Sequence, residues 1–209
     1  MEYVVCILAG YLIGGINPAY LFAKIKGFDI RNKGSGNAGA SNAALTMGKK
    51  WGVISGALDI LKALVCFKLA EWLFGEKMFI GIVAGVSCIL GHIFPVYMKF
   101  RGGKGLACIG GTVLAYSWKL FLLLLAVEAV IVLVSDYICF VSISAPFLFA
   151  FSVGFLERSV VGMLILLLPA LVMLCKHFPN LKRIRMGKEV HFSFLWKGKK
   201  ELDRVGEDE

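Results

Sequence analysis

Charged side chains are scarce in this chain. Of its 209 residues only 18% are Asp, Glu, Lys or Arg, against 58% that are hydrophobic, and the mean hydropathy is +0.78. A soluble domain of this size could not bury that much apolar surface, so the composition excludes an ordinary water-soluble protein and points to the bilayer as solvent. Three histidines and six cysteines are present, without a C-x-x-C pair or a His cluster. No metal is therefore expected, and Cys6, Cys66, Cys88, Cys108, Cys139 and Cys175 read as small buried hydrophobes. No repeat of fixed period occurs, and little length is left over for a separate soluble domain, which makes residues 1–209 one domain.

The net charge of +9 would point to nucleic acid in a soluble protein. Here Lys and Arg sit mainly in loops and in the tail after Cys175, the pattern that orients membrane proteins with their basic loops in the cytosol, so no nucleic-acid partner is expected. The first apolar run, Tyr3 to Ala23, lacks a basic n-region and an A-x-A cleavage site and reads as a retained span. Further runs cover Trp51 to Phe74, Met78 to Met98, Leu106 to Val134 and Tyr137 to Cys175. Polar interruptions at Ser117-Trp118-Lys119, Ser135-Asp136 and Glu157-Arg158 divide residues 106–175 into four segments.

The fold expected is an all-α polytopic membrane bundle. Seven spans are preferred over five, because one helix of nearly 40 residues from Tyr137 to Cys175 would greatly exceed the hydrocarbon thickness. The N-terminus is then outside and the C-terminus cytosolic. This places 18 of the 23 basic residues on the cytosolic side, with Lys77, Lys119 and Arg158 outside and Lys62 and Lys68 within the second span. Only the tail from Lys197 to Glu209 is poor enough in hydrophobic residues to fray.

Three loops carry the chemistry. Lys33-Gly34-Ser35-Gly36-Asn37-Ala38-Gly39 opens an Ala-rich helix of two or three turns. Its backbone N–H groups, with Ser35 and Asn37, favour an anion, although Gly, Ala and Ser equally serve close helix packing. Gly91-His92-Ile93-Phe94-Pro95 leads to Lys99-Phe100-Arg101-Gly102-Gly103-Lys104-Gly105, where two adjacent glycines between cations let backbone donors approach phosphate closely. This is not a Walker A loop: Met98 replaces the upstream glycine and Gly105 the magnesium-binding hydroxyl. The competing role is a basic interfacial loop that only fixes topology.

In the third loop, just beyond the last span, His177, Asn180 and Arg183 are spaced to share one helical face and align a base, an amide and a cation. A basic surface helix drawn to anionic lipid is the alternative. Within the second span, Asp59 and Lys62 are spaced to form a structural ion pair, and Glu128 has no assigned role.

Taken in order, these loops resemble the signature motifs of the acyl-phosphate-dependent glycerol-3-phosphate acyltransferases, bacterial membrane enzymes that begin phospholipid synthesis. The matching residues are Gly-Ser-Gly-Asn at 34–37 with Ala40 and Asn42, Gly-His-x-Phe-Pro at 91–95, Gly-Gly-Lys-Gly at 102–105, and His177-x-x-Asn180-x-x-Arg183 with Gly187 and Glu189. Asn17-Pro18, Lys26-Gly27-x-Asp29-Ile30-Arg31 and Asp59-x-x-Lys62 agree as well. Two departures are Leu45 where such proteins usually carry Arg, which removes a phosphate ligand, and Ser41 where Thr is usual, which keeps the hydroxyl.

The resemblance implies transfer of a fatty acyl group from acyl phosphate to the 1-hydroxyl of glycerol 3-phosphate, without a cofactor, at the cytosolic face of the bacterial inner membrane. Its substrates would be acyl phosphate and glycerol 3-phosphate, with membrane lipid around it; a monomer would suffice, though the oligomeric state stays open. Ser35, Lys104, His177 and Asn180 are then the expected catalytic residues. Gly34, Gly36, Asn37, Asn42, His92, Arg101, Gly102, Gly103, Gly105, Arg183 and Glu189 are the expected substrate-binding ones, and Ser142 joins them because in the seven-span topology it lies just after the cytosolic break at Ser135-Asp136. Two rivals are an enzyme using acyl-CoA or acyl carrier protein and a phosphate or phospholipid transporter. The first lacks its usual His-x-x-x-x-Asp, since Tyr97 follows His92 and Lys182 follows His177 at that spacing. The second lacks visible inverted repeats.

Overall fold

The structure, a computed structural model, describes residues 1–75 and 77–193, so the expected fraying of Lys197 to Glu209 lies outside the described residues. Within them the chain is helical throughout: α1 Glu2–Gly15, α2 Pro18–Ile25, α3 Ala40–Met47, α4 Lys49–Phe74, α5 Ile80–Ile93, α6 Leu106–Tyr116, α7 Trp118–Ser135, α8 Ile138–Leu156 and α9 Val160–Arg185.

Among the described residues, five stretches are long and apolar enough to cross a membrane: Glu2–Ile25, Ile80–Met98, Trp118–Ser135, Ile138–Leu156 and Val160–Arg185. Helix α4 matches α9 in length at 26 residues but carries Asp59, Lys62, Lys68 and Glu71, while α6 is apolar and only 11 residues long.

All three polar interruptions are helix ends. Ser117 caps α7 by accepting from Leu120 N, Asp136 closes α7 in the left-handed region at φ 58°, and Ser159 caps α9 by accepting from Gly162 N. The first run differs from a single continuous helix. Pro18 has no N–H to continue the ladder of α1, and Asn17 caps a new start by accepting from Tyr20 N at 2.8 Å, so the span bends at Ile16 and Asn17.

Helix α5 is the centre of the bundle, with every residue buried except Val83 and Leu90. Its close partners pack through small residues, as expected where lipid gives no hydrophobic drive between helices. A Cβ on Gly14 of α1 would stand 2.0 Å from Cys88 O, and one on Gly111 of α6 would stand 2.1 Å from Ile60 O of α4. At the periphery, α7 buries Leu120, Leu124 and Glu128 on one face and exposes such residues as Leu123 and Val134. Glu128 and Ser144 stand equally far before and after Asp136, so α7 and α8 form a hairpin in which the Ser144 hydroxyl faces the carboxyl at 2.7 Å. Five cysteines are buried as expected; Cys175 is exposed on α9.

Contacts along the bundle fix which ends meet. Tyr3 Oη donates to Met78 O and Tyr11 Oη to Phe94 O, so α1 and α5 run parallel. Helix α9 follows them, with Gly162 against Phe79 and Lys176 Nζ 4.5 Å over the Phe94 ring. Helix α4 runs the other way: Lys62 reaches Gly14 O while Ala70 packs with Cys6. The C-terminal ends of α1, α5 and α9 and the N-terminal ends of α4 and α6 therefore gather at one end of the molecule. All three glycine- or histidine-bearing motifs lie there. A cavity of about 170 Å³ lined by Glu71, Tyr116 and Glu157 lies at the opposite end, away from every motif residue.

Candidate active site

The first loop is shaped by Asn42, whose side chain is fully buried. Its Nδ2 donates toward Ile30 O, Lys33 O and Asn37 O at 3.0, 3.0 and 2.9 Å, and its Oδ1 accepts from Ser35 N at 2.9 Å. Asn42 was expected to touch substrate. Its amide is instead occupied by the backbone of residues 30–37, so it shapes the loop from below. Gly34 and Gly36 take left-handed backbone at φ 57° and 71°, and a Cβ on Gly34 would lie 2.3 Å from Asn42 Oδ1. Ser35 and its flanking glycines are exposed, with Asn37 half-buried.

Arg31 joins this loop to the second, donating from Nη1 to Met98 O at 2.7 Å while Nε and Nη2 hold Asp29. The Arg31 hydrogen bonds pull the Asp29 carboxyl down to about 2. Asn17, fully buried, adds a tie from α2 by donating to Ala38 O at 2.8 Å.

The second loop folds back on the end of α5, with Gly102 N donating to Ile93 O and Gly103 N to His92 O, each at 3.1 Å. A Cβ on Gly102 would stand 2.1 Å from His92 O, and one on Gly103 equally close to His92 Nε2, so only glycine permits this approach. Gly105 follows at φ 93° and caps α6. Among the described residues, the backbone N–H groups of Lys104 and Gly105 meet no protein acceptor. They are two donors without an acceptor at the N-terminus of α6, the kind of backbone group that can bind phosphate oxygens. Arg101 is exposed beside it.

His92 was expected to bind substrate. Its side chain is only 4% exposed and packs under Gly103, with Nδ1 at 3.0 Å from Lys62 Nζ and 3.2 Å from Asp59 Oδ1. The expected Asp59–Lys62 pair is present at 2.6 Å. Asp59, His92 and Cys108 bring donor atoms within 4.8 Å of one another, a spacing a metal could use, but the Lys62 ammonium already places a cation among them.

The third motif lies on the last long helix itself. Helix α9 runs through Pro169 and Pro179 to Arg185 and turns at Gly187, φ 70°. Sequence reading placed His177 beyond the span because the charges begin at Lys176; no glycine stops the helix there, and the single bond lost to Pro179 does not break it. His177 Nδ1 donates to Met173 O at 2.7 Å, which leaves Nε2 as the ring's acceptor. Asn180 Oδ1 accepts from Lys104 Nζ, and Asn180 Nδ2 donates to Glu189 Oε1 at 2.5 Å. Glu189 Oε2 accepts from Arg183 Nε at 2.6 Å.

This chain from Lys104 through Asn180 and Glu189 to Arg183 leaves the amide one orientation, since an ammonium only donates and a carboxylate only accepts. Burial, with Arg183 nearby, lowers the Lys104 ammonium to about 8. Glu189, expected to bind substrate, holds Asn180 and Arg183 in place. Ser142 is buried on α8, its hydroxyl donating to Ile138 O, two turns from the Asp136 corner at the same end. The structure thus joins Lys104, Asn180, Arg183 and Glu189 directly and links the first loop through Arg31. Ser35 and Arg101 stand exposed at this end without a bond to that chain. Asn17 and Arg31, which the sequence offered only as agreeing with the family pattern, organise the loops.

Unpartnered backbone donors at a helix N-terminus, a half-buried lysine and a buried histidine at one end of a multi-pass helical bundle are the features of a membrane enzyme that handles anionic groups. Comparison with known proteins defines it further. A family model described as glycerol-3-phosphate acyltransferase matches residues 4–187, and the chain belongs to that family. It is 35% identical over 190 residues to the glycerol-3-phosphate acyltransferase of Thermoanaerobacter sp. (strain X514), covering 90% of this chain and 95% of that one. The same identity extends over 195 residues to that of Aquifex aeolicus (strain VF5), covering 92% and 100%. Two solved structures of PlsY (YgiH), an integral membrane glycerol 3-phosphate acyltransferase, are similar to this fold. Its glycerol 3-phosphate form superposes with a TM-score of 0.83 at 34% identity over 93% of this chain and 98% of that one. The lysophosphatidic acid form gives 0.82 at 31% identity, covering 93% and 97%.

Proposed function

We propose that this enzyme transfers a fatty acyl group from acyl phosphate to the 1-hydroxyl of glycerol 3-phosphate, forming lysophosphatidic acid and inorganic phosphate. The observation that carries the reading is the Lys104–Asn180–Glu189–Arg183 chain beside the Lys104 and Gly105 N–H groups, which meet no acceptor among the described residues: a fixed cation next to two backbone donors. Two substrates that each carry phosphate account for two glycine-rich loops at one end.

In this reading Ser35, Gly36, Asn37 and the Gly102–Gly105 turn position phosphate, aided by Arg101. Lys104 neutralises charge growing on the acyl-phosphate carbonyl and the departing phosphate. His177 Nε2 and Asn180 orient the attacking hydroxyl, and Ser142 lines the same end. The hydroxyl oxygen bonds to the carbonyl carbon, the carbon–oxygen bond to phosphate breaks, and the hydroxyl proton passes to a substrate phosphate oxygen or to His177 Nε2. Acyl phosphate is already activated, so no acyl-enzyme is needed.

The topology we propose has seven crossings: the α1–α2 span, then α4 through α9. Helix α4 is about 39 Å long at 1.5 Å per residue, enough to cross. Helix α6 spans only about 17 Å, and the burial of Cys108, Ile109, Thr112 and Val113 shelters it from lipid. The basic loops at the site end support a cytosolic active site in the bacterial inner membrane.

Purified protein given radiolabelled glycerol 3-phosphate and palmitoyl phosphate is expected to form lysophosphatidic acid. Uptake of the label into sealed vesicles without product would favour a transporter.

A further inference from the structure

A cluster of Asp59, Lys62 and His92 lies beneath Gly103. Lys62 has three protons. Two carbonyls accept from it, Gly14 O at 2.9 Å and Ile16 O at 2.6 Å, and the ring nitrogen Nδ1 of His92 lies 3.0 Å from the same ammonium. Asp59 Oδ1, 2.6 Å away, acts as the counter-charge.

Nδ1 of His92 thus stands between the Lys62 ammonium at 3.0 Å and Asp59 Oδ1 at 3.2 Å; with the third Lys62 proton directed at it, Nδ1 accepts. An Nδ1–H, in the other neutral tautomer or in the imidazolium, would point at an ammonium. The ring proton is then on Nε2, with the buried Cys108 thiol also within hydrogen-bonding reach of the ring. That atom lies where a Cβ of Gly103 would come within 2.1 Å, under the turn whose Lys104 and Gly105 N–H groups meet no acceptor among the described residues.

We propose that Lys62 is a positioning residue: held by Asp59, it locks His92 as the Nε2–H tautomer and so places an N–H, rather than a basic nitrogen, beneath the Gly103–Lys104 cradle. His92 is then no general base. It adds a neutral donor to the positive side of the phosphate site, and the same ammonium fixes the last turn of α1 to the last turn of α5. The inference rests on the phosphate-binding reading of that cradle, but its structural half is measurable without turnover.

The test is solid-state nitrogen NMR on the full chain, labelled in its three histidines and reconstituted in lipid, with the His92 signals assigned by their loss in His92→Gln. At neutral pH the expected result is a protonated Nε2 and a bare Nδ1, and a mixture of ring forms in Lys62→Met. In parallel, Gln carries its amide near the place of Nε2 and Asn near that of Nδ1. His92→Gln should therefore keep a kcat about tenfold above that of His92→Asn at similar thermal stability.

Protonated Nδ1 in the wild type, an unchanged tautomer in Lys62→Met, or equal kcat for the Gln and Asn variants overturns the proposal. If Lys62→Met does not fold, the wild-type spectrum and the two His92 variants decide. The expected tautomer in a protein that makes no lysophosphatidic acid would overturn the acyltransferase reading and leave the ring assignment standing.

Discussion

The Lys104 ammonium donates to Oδ1 of Asn180, a residue 76 positions later in the chain, and this bond joins the glycine turn before α6 to the last turns of α9. It is the point at which a cation from one motif and an amide from another become one site. Replacing Asn180 by Leu keeps the helix and most of the volume but leaves Lys104 and Glu189 without their shared partner. We expect kcat/KM for glycerol 3-phosphate to fall about 100-fold or more, with the protein still extracted as a folded species, as checked by steady-state kinetics and thermal melting.

Lys104 titrates near neutrality. With its ammonium lowered to about 8, the free enzyme loses that charge as pH rises through 8, and kcat/KM is expected to fall on the alkaline side with a midpoint near there. Bound phosphate stabilises the ammonium, so the same limb in kcat should lie at higher pH. In Lys104→Arg, whose guanidinium stays charged, the alkaline limb of kcat/KM should move away from 8, which a pH–rate profile of both proteins checks.

Asn42→Leu is expected to act on the first loop without touching substrate. Four backbone groups lose their side-chain partner in a buried place, a cost of about 1–3 kcal/mol for each left unsatisfied. The variant should melt earlier than the wild type and show a higher KM for glycerol 3-phosphate, because Ser35 is no longer held.

Gly103→Ala places a methyl group against the His92 ring, 2.1 Å from Nε2 without movement. Either the loop or the ring shifts, at about 1–3 kcal/mol. Activity should drop more than the melting temperature would indicate, since the shift moves Lys104 with it.

Much of the site was legible in the sequence because glycines and cations in loops between apolar runs have few structural uses. Gly102-Gly103-Lys104-Gly105 and the His177, Asn180, Arg183 spacing could be read directly. What could not be read was which polar side chains face inward. Asn42, His92 and Glu189 belong to the motifs yet have their side chains engaged by backbone or by other side chains, which depends on burial and not on spacing. Helix ends followed the polar interruptions at Ser117-Trp118-Lys119, Ser135-Asp136 and Glu157-Arg158, but α9 ran past Lys176 and Pro179 because no glycine or cap stood there. The bend at Asn17-Pro18 was masked by the unbroken hydrophobicity around it.

The central claim, acyl transfer from acyl phosphate at the Lys104 end of the bundle, is tested most directly by product stoichiometry with three donors. Purified enzyme is given glycerol 3-phosphate with palmitoyl phosphate, palmitoyl-CoA or a palmitoyl acyl carrier protein, and lysophosphatidic acid and inorganic phosphate are both counted. One phosphate released per lysophosphatidic acid, from palmitoyl phosphate alone, is the result predicted. Equal or greater product from either thioester, or phosphate release without acylated product, would contradict it.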